Sequence, residues 1–63
     1  MISKKDLQIG DKLEFNGGAT ATIIFKDIKG IALERADGTR RILSFDSFRV
    51  FKTGSLVKVR ARW

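Results

Sequence analysis

The clearest pattern of apolar and polar positions lies near the C-terminal end, in residues 55–63. One face of this stretch carries four apolar side chains, namely Val57, Val59, Ala61 and Trp63. The other face begins with Leu56 and continues with three cations, Lys58, Arg60 and Arg62. Alternation with a period of two residues is typical of a strand that has one face on the core and the other in solvent. The pattern therefore predicts that residues 55–63 form the last strand.

Two earlier stretches show similar alternation. Residues 11–15 place Leu13 and Phe15 on one face, and the turn sequence Asn-Gly-Gly follows at residues 16–18. Residues 19–28 are predicted to form the longest strand, whose inner face consists of Ala19, Ala21, Ile23 and Phe25. Apolar residues also occur on the other face, at Ile24 and Ile28. This strand is therefore expected to bend across two sheets or to have a partly covered outer face.

Residues 31–45 are predicted to form the hairpin around which the chain is organised. Asp37-Gly38 suits a type I′ turn, which requires positive φ at both central residues. A two-residue turn fixes the register. The predicted pairs are Ala36 with Thr39, Arg35 with Arg40, Glu34 with Arg41, Leu33 with Ile42, and Ala32 with Leu43. The pair of like charges weakens the hairpin, which suggests that its tip needs positive charge for another purpose.

Residues 45–52 allow two interpretations. Phe45, Phe48 and Phe51 recur every three residues, which favours a short helical turn that gathers the three rings. The alternative is a strand at residues 49–51 that enters a hairpin at Thr53-Gly54. These Phe side chains are expected in the core, because burying each one contributes about 2 kcal/mol that a small domain needs.

The first ten residues are polar and mixed. Residues 3–7 are predicted to form a single helical turn with Ser3 as its N-cap, and Leu7 and Ile9 are predicted to cover one mouth of a barrel. Five short strands separated by glycine-marked turns predict an all-β fold, a small five-stranded antiparallel barrel with a short helical turn before the last strand. Residues 1–63 are expected to form this single domain.

The composition limits the chemistry. The chain has 63 residues and neither cysteine nor histidine, so it lacks a disulfide framework, a Cys/His metal site, a thiolate nucleophile and an imidazole base. Its seven acidic residues are scattered, and most have a basic neighbour. We therefore expect a protein that is not an enzyme and that binds no cofactor, metal or small-molecule substrate. No apolar run suits a signal peptide or a membrane span, so a soluble, cytoplasmic protein is expected.

The net charge of +6 is unevenly distributed. Acidic and basic residues cancel over residues 1–34, so the whole excess lies in residues 35–63. The cations of this second half are Arg35, Arg40, Arg41, Arg49, Lys52, Lys58, Arg60 and Arg62. Such asymmetry favours a polyanionic partner, and nucleic acid, either DNA or RNA, is the first candidate. The alternative is a solvated surface on which charge only maintains solubility.

The predicted nucleic-acid interface is centred on the last strand, where Lys58, Arg60 and Arg62 recur about every 6.5–7 Å, close to the spacing of roughly 6–7 Å between phosphates. The hairpin would extend this surface with Arg35, Arg40 and Arg41, and the flanking cations are Arg49 and Lys52. Trp63 is a candidate for stacking on a base. The plainer alternatives are an edge strand protected by charge and a Trp63 that serves as a hydrophobic plug.

Several segments resemble Src-homology-3-like small barrels, which include KOW and Tudor-like modules. Residues 7–13 resemble their entry segment with its Gly-Asp pair, and residues 16–23 resemble a glycine turn followed by an alternating strand. Residues 37–40 are similar to their tight distal hairpin, and residues 45–48 lie where these barrels have a short 3₁₀ turn. The resemblance implies the barrel fold and binding to RNA, DNA, ribosomal or polymerase surfaces, or peptides. The aromatic cage of methyl-lysine readers needs several exposed Trp or Tyr residues, and this chain has one Trp and no Tyr.

A second hypothesis is a protein-interaction module, a small regulator of the kind that phages or plasmids encode, which docks on a larger protein machine. A sheet edge or the apolar residues Ile24 and Leu56 would then carry the contact. The two hypotheses predict different surfaces. A continuous cationic face with an exposed Trp63 favours nucleic acid, whereas dispersed charge and an exposed apolar patch favour a protein partner.

Overall fold

Six strands make up nearly all of the fold. The computed structural model describes residues 4–63, apart from the side chain of Lys5, and the predicted N-cap Ser3 lies outside this part. A 3₁₀ turn at Lys4–Asp6 precedes β1 (Lys12–Asn16), β2 (Thr20–Lys26), β3 (Gly30–Glu34), β4 (Arg40–Ser44), β5 (Val50–Thr53) and β6 (Leu56–Arg62). Within residues 4–63 no helix has the length and apolar character needed to cross a membrane.

The strands form a single curled sheet, a half-barrel, in the order β4-β3-β2-β1-β6-β5. β1 and β6 are parallel, whereas the other neighbours are antiparallel. The all-β prediction is confirmed, but the five-stranded antiparallel arrangement is wrong in strand number and in direction. The additional strand arises because Gly54, with φ of 62°, reverses the chain between β5 and β6. This architecture is compatible with a Src-homology-3-like barrel.

The predicted helical turn before the last strand is also wrong, because Ser44 organises a non-helical turn. Its carbonyl accepts a hydrogen bond from the Ser47 amide at 2.9 Å, and the Ser47 hydroxyl donates to the same carbonyl at 2.8 Å. The rings of Phe45 and Phe48 still meet, with centroids 6.1 Å apart. Phe51 is separate from them because it lies on β5, the strand that the alternative interpretation placed near residues 49–51.

The central hairpin forms, but its register differs by one residue from the prediction. Arg35 donates its amide to the Thr39 carbonyl at 2.8 Å, so three residues, not two, connect the strands. Only Gly38 has positive φ (89°) in this loop, and Asp37 does not, which fits a type I turn followed by a glycine bulge. The observed pairs include Glu34 with Arg40, Leu33 with Arg41, Ala32 with Ile42, and Ile31 with Leu43. The predicted pairing of Arg35 with Arg40 and of Glu34 with Arg41 is therefore wrong.

A bulge in β2 changes the side of the sheet that its later residues face. The register with β3 shifts between Ile23, which pairs with Leu33, and Phe25, which pairs with Ala32. Ile24 is the additional residue, and an additional residue reverses the alternation of side chains. Ile23 is therefore buried while Phe25 is 56% exposed. The sequence pattern had placed both on one inner face.

The core lies on the inner face of the curled sheet. Its buried members are Leu7, Leu13, Phe15, Ala21, Ile23, Ile31, Leu33, Leu43, Phe48 and Val59. Leu7 is fully buried as expected, whereas Ile9 is 63% exposed. Lys26 and Lys4 hold the N-terminal segment in place. Lys26 Nζ on β2 donates to the Leu7 carbonyl at 2.6 Å. Lys4 Nζ donates to the Phe48 carbonyl at 3.1 Å and to that of Phe45, both in the connection between β4 and β5.

Candidate nucleic-acid interface

The outer face of β6 presents the three cations that the alternation predicted. Val59 is buried, and Val57 and Ala61 are half-buried on the same side of the strand. The intervening positions, which carry Lys58, Arg60 and Arg62, therefore point away from the core. Strand geometry spaces them about 6.5–7 Å apart. Because every second side chain of this strand packs on the core, the cations between them all lie on the outer face.

β5 and the residue that precedes it widen this row with an aromatic ring and a cation. Phe51 pairs directly with Lys58 across the two strands, and the Arg60 amide donates to the Arg49 carbonyl at 2.9 Å. The Arg60 guanidinium carbon lies 5.1 Å from the centroid of the Phe51 ring, within the range of a cation–π contact. We call the five residues Arg49, Phe51, Lys58, Arg60 and Arg62 the β6 face.

The carboxylate of Glu14 borders the β6 face. Glu14 on β1 is in register with Lys58, and its Oε1 lies 3.3 Å from Lys58 Nζ. Both side chains are partly exposed, so solvent weakens the pair, which is worth well under about 1 kcal/mol. Arg60 and Arg62 have no carboxylate within ion-pair distance among the residues described here. The same holds for Arg49, so the three arginines supply most of the positive potential of the face.

Trp63 follows the last residue of β6 and is half-buried against the core. Its ring meets the Phe15 ring edge-on, with centroids 5.2 Å apart and an interplanar angle of 86°. The guanidinium carbons of Arg35 and Arg41 lie 5.5 Å and 6.0 Å from its centroid. These are the contacts of a plug that packs on the core. A base that stacked on a covered part of the ring would have to displace a guanidinium group.

Arg41 connects the hairpin to the end of β6. It pairs with Leu33, whose side chain is buried, so Arg41 points toward the inner side of the sheet. From there its Nη1 donates to the Arg62 carbonyl at 2.5 Å. Arg35, Arg41 and Trp63, which we call the Trp63 cluster, therefore meet the end of β6 from the inner side of the sheet, whereas the β6 face lies on its outer side. Seven of the nine residues predicted for the interface lie in these two groups. Phe51 is an additional member that was not predicted.

The remaining two predicted residues lie elsewhere. Arg40 is on the outer face of the hairpin, where its Nε lies 2.9 Å from Glu34 Oε2. Lys52 is in register with Val57, on the opposite side of β5 from Phe51, and lines a depression together with Asp6, Asp11 and Lys12. Arg40 is displaced because the hairpin register differs from the predicted one by one residue. The sequence analysis missed the contribution of Phe51, which the three-residue spacing of phenylalanines had assigned to the core.

Asp37 is the acidic residue at the hairpin tip, and its carboxylate is engaged in a hydrogen bond within the turn. Its Oδ1 accepts a hydrogen bond from the Thr39 amide at 2.9 Å. Hydrogen bonds from the Thr39 backbone and side chain, with a smaller contribution from the positive charge of Arg35, lower the pKa of Asp37 from 3.8. Asp37 is thus a charged carboxylate at neutral pH that stabilises the turn.

The described residues include no group of three or more acidic side chains that could hold a metal ion. Comparison with protein-family models, with curated protein sequences and with solved structures finds no match to this chain.

Proposed function

We propose that this chain is a non-catalytic nucleic-acid-binding module, a small barrel of the Src-homology-3-like type, whose β6 face contacts phosphates. The observation that carries the proposal is the row of Lys58, Arg60 and Arg62 on the outer side of β6, widened by Arg49, which directly precedes β5. A single exposed row on a strand can follow an extended phosphate backbone. The contacts involve charge and not base edges, so binding is mostly independent of sequence.

The Trp63 cluster supports this face in two ways. Arg35 and Arg41 add positive charge beside Trp63, next to the end of β6. The hydrogen bond from Arg41 to the Arg62 carbonyl also holds the hairpin against the end of the row. Cations held by packing lose less conformational entropy on binding than freely rotating side chains do.

The test is a titration of labelled single-stranded and double-stranded oligonucleotides at several salt concentrations. Replacing Lys58, Arg60 and Arg62 by Gln removes the row. Each phosphate contact contributes about 0.7–0.9 to the slope of log K against log salt. We expect the slope of the triple variant to be smaller by about two, together with a loss of affinity at low salt.

The matched control removes the same charge from other surfaces, with Lys29, Arg40 and Lys52 replaced by Gln. Its slope should stay close to that of the parent chain. The proposal is wrong if the triple variant keeps the parent slope, or if the control loses as much slope as the triple variant does. Circular dichroism of both variants checks that they fold.

An exposed apolar row favours the second function, a protein-interaction module. Phe25 and Ile42 are 56% and 82% exposed, and both are in register with Ala32, which lies between them. The row differs from the pair that the sequence suggested, since Ile24 and Leu56 are less exposed. It lies on β2, β3 and β4, away from the β6 face, so the two functions use different surfaces.

A further inference from the structure

The outer edge of β4 has unpaired backbone groups directed away from the sheet. The bonded pairs of the hairpin are marked by the hydrogen bonds from Arg35 to Thr39 at 2.8 Å and from Phe45 to Lys29 at 2.9 Å. Because bonded pairs alternate in an antiparallel ladder, Arg41 and Leu43 direct their amides and carbonyls toward β3. The remaining residues, Arg40, Ile42 and Ser44, direct theirs outward. Among the strands described, none pairs with β4 on this side.

The apolar row on the outer face ends at this same edge. Phe25, Ala32 and Ile42 are adjacent on β2, β3 and β4. They line a mostly apolar groove together with Ile31 and Leu43. Ile42 is the last member of the row and the middle residue of β4, so both its side chain and its backbone are available at the edge.

We propose that a second copy of this chain pairs with β4 in an antiparallel arrangement, with Ile42 on the two-fold axis. The two Ile42 residues would exchange amide-to-carbonyl hydrogen bonds. The side-chain row would then continue across the axis into the other copy. A closed two-fold contact of this kind uses one surface twice and ends with the dimer.

The side chains of β4 fit a pairing centred on Ile42 better than a pairing centred on Arg41 or on Leu43. Centred on Ile42, the pairing sets Arg40 against Ser44 of the other copy and Arg41 against Leu43, so no like charges are opposed. Centring on Arg41 would oppose the two Arg41 side chains, and centring on Leu43 would leave Arg40 outside the paired strands. Glu34 also offsets the charge of Arg40 at the edge, because its Oε2 lies 2.9 Å from Arg40 Nε.

The hydrogen bonds available at the edge set an upper limit on the strength of pairing. The Ser44 carbonyl already accepts bonds from the Ser47 amide at 2.9 Å and the Ser47 hydroxyl at 2.8 Å, so it contributes less to a partner. Its amide is directed outward and would donate to the Arg40 carbonyl of the other copy. A contact this small buries less than roughly 1,200 Å² and gives a weak dimer.

The dependence on salt concentration distinguishes this association from nucleic-acid binding. Each chain carries +6, so two copies repel each other at low ionic strength, and salt screens the repulsion. Self-association should therefore strengthen as salt is added, whereas binding to phosphates should weaken. The inference does not depend on the proposed function.

The experiment is sedimentation equilibrium over a wide concentration range at low and moderate salt. We expect the parent chain to show a monomer–dimer equilibrium that tightens with salt. Ile42→Lys places a charge at the axis and should weaken the dimer at least tenfold. Ile28→Lys is the matched control, because Ile28 is 91% exposed but lies in the turn after β2; this variant should dimerise like the parent.

Three results would overturn the inference. The first is a parent chain that stays monomeric up to about millimolar concentration, where weak pairs still form. The second is an Ile42→Lys variant that dimerises as well as the parent. The third is an Ile28→Lys variant that loses dimerisation to the same extent as Ile42→Lys. Hydrogen exchange at the Ile42 amide is a second readout, since its protection should rise with protein concentration.

Discussion

At the residue scale, side chains that the sequence marks only as charged have distinct structural roles. Lys26 holds the Leu7 carbonyl, Arg40 pairs with Glu34, and Arg41 holds the Arg62 carbonyl. The partners of Lys26 and Arg41 are distant in sequence, and that of Arg40 depends on the hairpin register, so composition alone could not assign them. Arg60 and Arg62 keep the exposed role that alternation predicted, because strand geometry determines their direction locally.

Asp37 provides a pH-dependent prediction. Hydrogen bonds from Thr39 and the charge of Arg35 lower the pKa of its carboxyl in the folded state. A lowered pKa means that the charged form stabilises the fold above the unfolded-state pKa, and that this contribution disappears as pH falls through the folded value. We therefore expect Asp37→Asn to be less stable than the parent at about pH 6, with a difference that shrinks toward about pH 2.

Urea denaturation at several pH values measures that difference, and an NMR titration of the Asp37 carboxyl gives the pKa directly. A stability difference that stays constant over the acidic range, or a carboxyl that titrates at or above 3.8, would contradict the assignment.

At the element scale, strands are more predictable from this sequence than their registers. Alternation located β1, β2 and β6 to within a few residues, because one face of each packs on the core. Two local features altered the registers. The hairpin adopted a three-residue loop at Asp37-Gly38, and Ile24 formed a bulge in β2. Both add one residue, and no apolar pattern distinguishes a strand with an additional residue from one without it.

Because of the bulge in β2, substitutions at Ile23 and Phe25 should differ in their effect on the free energy of unfolding. Simple alternation would predict similar effects at the two positions. Ile23 is buried and Phe25 is 56% exposed. Ile23→Ala should lower the free energy of unfolding by about 2–4 kcal/mol, and Phe25→Ala by less than about 1 kcal/mol. Denaturant unfolding of both variants gives the comparison. Similar losses in the two would mean that Phe25 faces the core.

At the scale of the whole molecule, the curled sheet brings its two halves together at Trp63. The ring packs on Phe15 of β1, while Arg35 and Arg41 of the hairpin region cover it. The sequence predicted a cationic face on β6 but not this closure, because β1, the hairpin and the C-terminal residue are distant along the chain. The parallel pairing of β6 with β1 was likewise not predicted, since pairing between distant strands leaves no local sequence pattern.

Trp63 is expected to act as a plug, so its removal should affect stability more than binding. Trp63→Ala should lower the free energy of unfolding by about 2 kcal/mol, and Trp63→Phe should restore part of it. A ring that stacked on a base would instead contribute about 1–3 kcal/mol to binding. Measurement of both quantities for the two variants separates the roles, and a large loss of affinity with unchanged stability would contradict the plug.

Contact between phosphates and the β6 face can be tested by a nitrogen–proton NMR titration with a short oligonucleotide, which locates contacts on individual arginine side chains. We expect the side-chain Nε–H signals of Arg49, Arg60 and Arg62 to shift together at low salt. The Arg40 signal, whose Nε lies 2.9 Å from Glu34 Oε2, should shift little. Larger shifts at Arg40 than on the β6 face, or no shifts at any arginine, would contradict the proposed contact.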